Sequence, residues 1–423
     1  MPRFYLPTRL SAAVTPRILS IVMFNLLCYI SMGLPLAVIP SLVHHELGYS
    51  AVIAGFAVSL QYVATFFSRP SAGRMTDKVG SRPAVLWGLA SCALSGVMLL
   101  VSGVFANAYL RGGITVTWPS LAALFVSRLL LGFAESWTAT GCITWGIAAL
   151  GPTRTAQVIS WNGITSYGGL AIGAPLGLAM SATRGLVPLG VLSIVLCGIG
   201  LAMAAARKGL PAPNTGEVAE ASPRFARILR MVAPFGSALA LGSVGFGAIS
   251  AFITLLYGQR QWYGTGADTP AVALSAFGVA FVVTRFVFAG QIGRRGGLRV
   301  AVLSFAVETL GLLMLWLAPA AALALLGAIL AGAGFALVFP ALGVEAVAKV
   351  GMQHRGSALG AYSVFLDIAL GASGPVLGLL AGLAGYGAAF AAAALCAMIG
   401  MASCMIMVAR TGRGGAEPTP AGR

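Results

Sequence analysis

Apolar residues recur along this chain in runs of roughly twenty, the length a helix needs to cross the hydrocarbon core of a bilayer, and polar or basic residues collect in the short stretches between them. Such runs fall near 17–40, 50–71, 84–105, 119–147, 155–180 and 186–206. A second set falls near 231–257, 271–290, 299–318, 320–347, 356–380 and 386–409. The pattern predicts an all-α membrane protein of six plus six spans. Glycine-rich stretches starting at Gly327 and Gly371 would make poor helices in water, but in lipid small residues let helices approach closely.

The second set repeats the first. Arg154 to Gly177 overlays Arg355 to Gly378 with a constant shift of 201 positions, matching Arg154 with Arg355, Trp161 with Tyr362, Gly173 with Gly374 and Gly177 with Gly378. Duplication in so apolar a chain points to two homologous bundles that rock about a central site. The bundles are placed at 1–206 and 231–410. Between them a cytoplasmic linker at 207–230 carries Pro211, Pro213, Asn214, Gly216, Glu217 and Glu220, and a glycine- and proline-rich tail at 411–423 reads as disordered. The apolar run from Ile18 is too long for a signal-peptide core and lacks a convincing A-x-A site, so it is read as the first span.

Composition narrows the class. With 58% hydrophobic and 9% charged residues and a mean hydropathy of +0.93, the chain is no ordinary globular domain, for which about a quarter of residues would be charged. The net charge of +16 is scattered through short loops and forms no stripe interleaved with aromatics, so membrane topology explains it better than nucleic acid does. Twenty Lys and Arg residues fall on the linker side, against Arg111, Arg184 and Arg260 on the other. That bias places both termini in the cytoplasm, as an even number of spans in a cell inner membrane requires. Cys28, Cys92, Cys142, Cys197, Cys396 and Cys404 lie in apolar runs with no C-x-x-C spacing, so neither disulfide nor metal is expected. There is no G-x-x-x-x-G-K-[ST] loop for ATP and no H-E-x-x-H or Ser/His/Asp pattern in the spans, so an enzyme is not expected.

Three stretches carry candidate chemistry. After the second span, Arg69 to Arg82 is read as a loop in which Gly73 and Gly80 allow a tight turn and close helix approach, while Asp77 can face a helix N-terminus or a neighbouring arginine. Its second-half counterpart, Arg285 followed by Gly290 to Arg299, keeps glycines and bases but has no acid. In the fourth span Arg128, Gly132 and Glu135 share one helix face, with Arg128 and Glu135 about 10 Å apart along the axis. An ion at the bilayer centre costs at least about 2.5 kcal/mol, so such residues mark a cavity, a relay or a pair, a static salt bridge being the alternative. The fifth span carries Gly169, Gly173, Pro175 and Gly177, and the eleventh carries Gly371, Gly374, Pro375 and Gly378.

These stretches resemble the G-x-x-x-D-[RK]-x-G-[RK]-[RK] loop, the R-x-x-x-G motif and the G-x-x-x-G-P-x-x-G motif of the major facilitator superfamily. Ser81 replaces one basic residue of the first, and Ala174 interrupts the Gly-Pro pair in the first copy of the last. The resemblance covers nearly the whole chain, and Arg355 to Tyr362 with Asp367 and Gly374-Pro375 looks like the bacterial sugar-efflux and drug-efflux-like branch. It implies twelve transmembrane helices in two pseudo-symmetric six-helix bundles. It also implies a monomeric, proton-coupled exporter (an antiporter) of a small organic solute, driven by the proton gradient with no other cofactor. Uptake by symport and a non-transporting sensor on the same fold remain alternatives. The resemblance assigns a cytoplasmic gate to Asp77 with Gly73, Gly80 and Arg82, although Lys78 and Arg82 equally serve to set topology.

For proton coupling the residues nominate Glu135 and Asp367, with Arg128 and Glu308. Asp367 lies one turn beyond Ser363 on the face of Gly371 and Gly374, and a carboxylate shielded from water can exchange protons as bundles move. Asn25, Gln61, Trp161 and Asn162 are candidate cavity-lining groups, or equally interhelical hydrogen bonds and packing aromatics. His44, His45 and His354 are read as loop residues.

Overall fold

A computed structural model describes residues 14–151, 154–207, 225–262, 269–288, 290–350 and 355–413. Most of the linker, the tail from 414, Arg3, Arg9 and His354 lie outside these residues. The first half comprises α1 (Val14–Gly33), α2 (Ala51–Lys78), α3 (Ser81–Leu110), α4 (Trp118–Leu150), α5 (Thr155–Arg184) and α6 (Val187–Ala206). The second comprises α7 (Phe225–Gln259), α8 (Pro270–Phe288), α9 (Gly297–Leu317), α10 (Ala321–Val350), α11 (Arg355–Ala384) and α12 (Tyr386–Arg413). Eleven of these are long and apolar enough to cross a membrane. The other, α5, is 30 residues long and carries the polar run Asn162, Thr165, Ser166 and Tyr167.

Several boundaries differ from the sequence reading: α1 ends at Gly33, not near 40, and α3 runs on to Leu110, not 105. Helix α7 begins at Phe225, not near 231. Helix α2 runs on to Lys78, so Gly73 and Asp77 are helical and Gly73 makes no turn. Pro70 inside α2 does not end it. In a membrane helix, neighbouring groups re-satisfy the backbone that proline frees. The turn is made by Gly80 alone, at φ 114°, a backbone that favours glycine, and Gly296 at φ 85° does the same ahead of α9.

The packing scheme is the duplication made visible. In the first half α3 packs on α4 and α6, α1 on α5, and α2 on α4; in the second, α9 packs on α10 and α12, α7 on α11, and α8 on α10. Two seams join the halves, α2 on α11 and α5 on α8, and they too correspond under the repeat. Within the first half, α3 and α4 are tied by reciprocal serine bonds. Ser95 donates to the Ser127 carbonyl at 2.8 Å and Ser127 to the Ser95 carbonyl at 3.0 Å. Ser102 and Ser120 exchange the same bonds at 2.9 and 3.0 Å. Small hydroxyl residues of this kind let helices approach and bond where no water competes.

The outer surface is an apolar belt that includes Phe67, Trp87, Val287, Leu317 and Leu383, far more than a soluble monomer exposes. With these helices it makes the chain a multi-pass membrane protein. The end where α6 finishes and α7 starts is called the linker face below. At the opposite face the halves are sealed: Ala37, Ile39 and Val43, just beyond α1, and Ile253, Leu255 and Leu256 of α7 are fully buried. Across that seal Thr254 donates to the Ala37 carbonyl at 3.0 Å.

Candidate functional site

The α2–α11 seam closes backbone to backbone and ends on an ion pair. Gly378 lies against Ala51 and Val52, Gly374 against Gly55 and Ser59, and Gly371 against Val63. A methyl group on Gly378 would stand 2.7 Å from the Ala51 carbonyl oxygen, so side chains there would hold the halves apart. Toward the linker face, Arg69 of α2 grips Asp367 of α11 with two guanidinium nitrogens, Nε on Oδ2 and Nη2 on Oδ1 at 2.8 Å. The Asp367 side chain is 1% exposed and that of Arg69 30%, so the pair is reached from one side. Such forked contacts are the stronger, more directional ion pairs. Asp367 is thus no isolated carboxylate, and sequence reasoning missed its partner. The signal was an arginine inside an apolar run. Farther toward the linker face, a side chain added at Gly73 or Gly360 would meet nothing within 4 Å.

Glu135 of α4 stands beside this pair and interacts electrostatically with both Asp367 and Arg69. Its Oε1 accepts from the Tyr29 hydroxyl at 3.0 Å and its Oε2 from the Thr65 hydroxyl at 3.2 Å. Glu135 thus rests on two hydroxyls near the ion pair, while Asp367 holds the arginine. Arg128 does not bond to Glu135. It is fully buried, donates to Gln61 Oε1 and to the Val58 carbonyl at 3.4 Å, and leaves Nε and Nη1 without a partner. Gln61 in turn donates to the Met32 sulfur at 3.2 Å. Arg128, Gln61 and Gly132 fasten α4 to α2 within one half, which makes Gln61 a helix tie and not a free cavity group.

Asn25 and Asn162 likewise join helices of the first half. The Asn25 amide donates to the Asn162 carbonyl at 3.1 Å and to Thr165 and Ser166 hydroxyls at 3.0 Å each, stapling α1 to α5. Beside that staple Gly169, Gly173 and Gly177 press on Tyr29, Ile30 and Gly33 of α1 and on Leu34 just beyond it. The two glycine motifs thus differ in use: the first packs inside a half, whereas Gly374 and Gly378 pack across the boundary. Pro175 and Pro375 sit inside α5 and α11. Glu308 is 1% exposed, enclosed by Gly242 and Gly245 of α7 and Gly334 of α10, with Oε2 unpartnered. It faces the interior of the second half.

The loop motif is only partly visible, because the Asp77 side chain lies outside the described residues. Arg82 is described, and among the described residues its hydrogen bonds stay within the first half. Its guanidinium donates to the Ala204 carbonyl at 3.2 Å and the Ala205 carbonyl at 2.5 Å, at the C-terminus of α6 where the helix dipole is negative. In the second half the missing acid arrives from another helix: Glu345 of α10 accepts from the Leu298 amide at 3.3 Å, at the start of α9. The histidines also have a place. His44 Nδ1 lies 2.7 Å from the Tyr49 carbonyl, and its ring meets Tyr386 of the second half edge-on at 6.0 Å. Partial burial and the neighbouring His44 push His45 down from the ordinary imidazole range.

The α5–α8 seam is aromatic. Tyr167 of α5 stacks on Phe281 of α8 with ring centroids 3.7 Å apart, and Phe246, Phe277 and Phe335 complete the cluster. Trp161 crosses the same seam to meet Phe286 edge-on at 5.7 Å. Arg285 lies at its linker-face end, 7% exposed, with its guanidinium 5.6 Å from the Phe281 ring centre and against Gly163 of α5.

Comparison with known proteins agrees with this geometry. The profile of the Major Facilitator Superfamily matches residues 21–263. An uncharacterized MFS-type transporter of Burkholderia mallei is 48% identical over 409 residues, covering 96% of this chain and 95% of that protein. One from Pseudomonas aeruginosa is 46% identical over 404 residues, covering 95% and 96%. Among solved structures, a nucleoside transporter NupG matches with a TM-score of 0.74 at 17% identity, over 92% of this chain and 99% of that one. The human organic anion transporter MFSD10 matches with 0.66 at 16% identity, over 92% and 99%. At such identities the structures speak for the fold alone; the sequence matches, which run nearly end to end, place this chain in the major facilitator superfamily.

Proposed function

We propose that this protein exports a small organic solute in exchange for protons, by alternating access between its two halves in a cell inner membrane. It would work as a monomer with both termini in the cytoplasm and no cofactor beyond the proton gradient. The observation that carries this reading is the Arg69–Asp367 pair across a seam that must open, with the buried Glu135 within its electrostatic reach. With the seam closed, Arg69 neutralises Asp367, and Glu135 rests on two neutral hydroxyl donors. When α2 parts from α11, Asp367 leaves its arginine and can take a proton, while Arg69 stays with Glu135 on its own half. Re-forming the pair expels that proton. Proton binding and seam opening are thereby linked, because a protonated carboxyl group loses most of its attraction for a guanidinium.

Export is favoured over uptake by the Gly374-Pro375 motif, which resembles one associated mainly with exporters. Flux of a solute in proteoliposomes, measured with an imposed pH gradient, with its reverse and with none, tests the coupling. Rates that do not change with the gradient or the membrane potential would refute it.

A further inference from the structure

The two seams correspond under the internal repeat, and their charges do not. Arg69 and Arg285 are equivalent: the interval of 216 positions between them also separates Gly80 from Gly296, the two glycines that turn the chain after each arginine. On the facing helices the 201-position repeat carries Asp367 back to Ser166. So one seam pairs arginine with aspartate, and the other sets arginine against a helix without an acid. Helix α5 contains no Asp or Glu, nor do α7 and α8. Ser166 is already engaged by Asn25 and the Asn162 carbonyl. Among the described residues Arg285 has no ion pair and no hydrogen bond; its neighbours are the Phe281 ring and, electrostatically, the neutral phenols of Tyr167 and Tyr362. Gly163 adds room, since a methyl group there would stand 3.1 Å from the guanidinium carbon.

Arg285 lies in the last turn of α8, which ends at Phe288, and yet is only 7% exposed. A cation buried there without a counter-charge is costly unless it serves a pathway or a ligand. We infer that the α5–α8 seam is an anion-binding site, in which Arg285 takes the carboxylate of a solute whose flat conjugated body lies on the Tyr167–Phe281 cluster. Opening this seam unstacks Tyr167 from Phe281 and bares a flat apolar face next to a guanidinium, whose fork matches a carboxylate. The solute would supply the charge that Asp367 supplies at the other seam. That this bound anion is also the cargo rests on the transport reading above; the binding site itself does not.

The test uses detergent-purified full-length protein and naphthalene-2-carboxylate, with naphthalene-2-carboxamide as its uncharged match and acetate as an anion without a flat body. Melting midpoints are followed against concentration of each. Naphthalene-2-carboxylate is expected to raise the midpoint progressively, with the amide and acetate at least about tenfold weaker, the loss of one charge-assisted contact or of the apolar body. Arg285→Gln is expected to remove the response. Arg285→Lys, which keeps the charge, should retain part of it. The comparison of Arg285→Gln with Arg285→Lys separates loss of the charge from loss of the fold. Equal responses to carboxylate and amide, no response to the carboxylate, or an unchanged response in Arg285→Gln would overturn the inference. No gradient is present in this assay, so loss of proton-driven flux with carboxylate binding intact would count against the transport reading alone.

Discussion

Arg69 reaches from one half of the molecule to grip Asp367 on the other, at the point where a glycine-lined, backbone-tight seam gives way toward the linker face. In the proposed cycle this pair is a contact that closing makes and opening breaks. Its strength would then enter the balance between states and not only the stability of one. Glu135, on the same half as Arg69, is the acid the released arginine would turn to.

Charge reversal isolates that contact. Arg69→Asp and Asp367→Arg are each expected to cut flux by more than about tenfold, and the double variant to recover a substantial part. That recovery corresponds to a coupling of about 1–3 kcal/mol, the range found for residues in direct contact. Initial rates in proteoliposomes for the four proteins of the cycle measure it, and additive losses would remove the pair from the mechanism.

Glu135→Gln keeps the shape of the side chain and its acceptor oxygen for Tyr29 or Thr65 but cannot release a proton. Solute exchange between equal concentrations on both sides should persist, while accumulation driven by a pH gradient is lost. Loss of both together would assign Glu135 to solute binding or folding.

Adding bulk at Gly374 should wedge the opposite face. A methyl group there overlaps the Gly55 carbonyl oxygen and approaches Ser59 Oγ to 2.5 Å. Gly374→Val is expected to disfavour the arrangement described here, so that cysteines introduced at Ala37 and Thr254 become reactive from the opposite face. Gly360→Val, where nothing stands within 4 Å, is the matched control and should leave their reactivity unchanged.

Arg82→Ala should cost about 1 kcal/mol of stability, the order of a cation at a helix C-terminus, by releasing the Ala204 and Ala205 carbonyls. Coupling between proton and solute should be unaffected. A changed proton-to-solute ratio would return Arg82 to a gating role.

Much of the architecture could be read from the chain, because twenty-residue apolar runs and a 201-position repeat are properties of the sequence itself. Polar residues inside those runs also announced themselves: Glu135, Arg128, Glu308 and Asp367 are all buried. Their partners did not. Nothing local to Asp367 names Arg69, which lies 298 positions away, and Arg128 and Glu135 share a helix face yet bond to different groups on α2 and α1. Helix ends were misread for a related reason. Pro70 and Gly73 resemble breakers in water, but a membrane helix continues past them to Gly80. The aromatic seam left no signal, since Tyr167, Phe246 and Phe281 come from three helices and each is unexceptional alone.

The reciprocal serine bonds between α3 and α4 fix two long rods at two heights, Ser95 with Ser127 and Ser102 with Ser120. Rods clamped twice cannot slide or splay without breaking backbone-directed bonds in a medium that offers no substitute. The first half should therefore tilt as a solid lever, passing strain at the Arg69 seam undiminished to the loops at the far end.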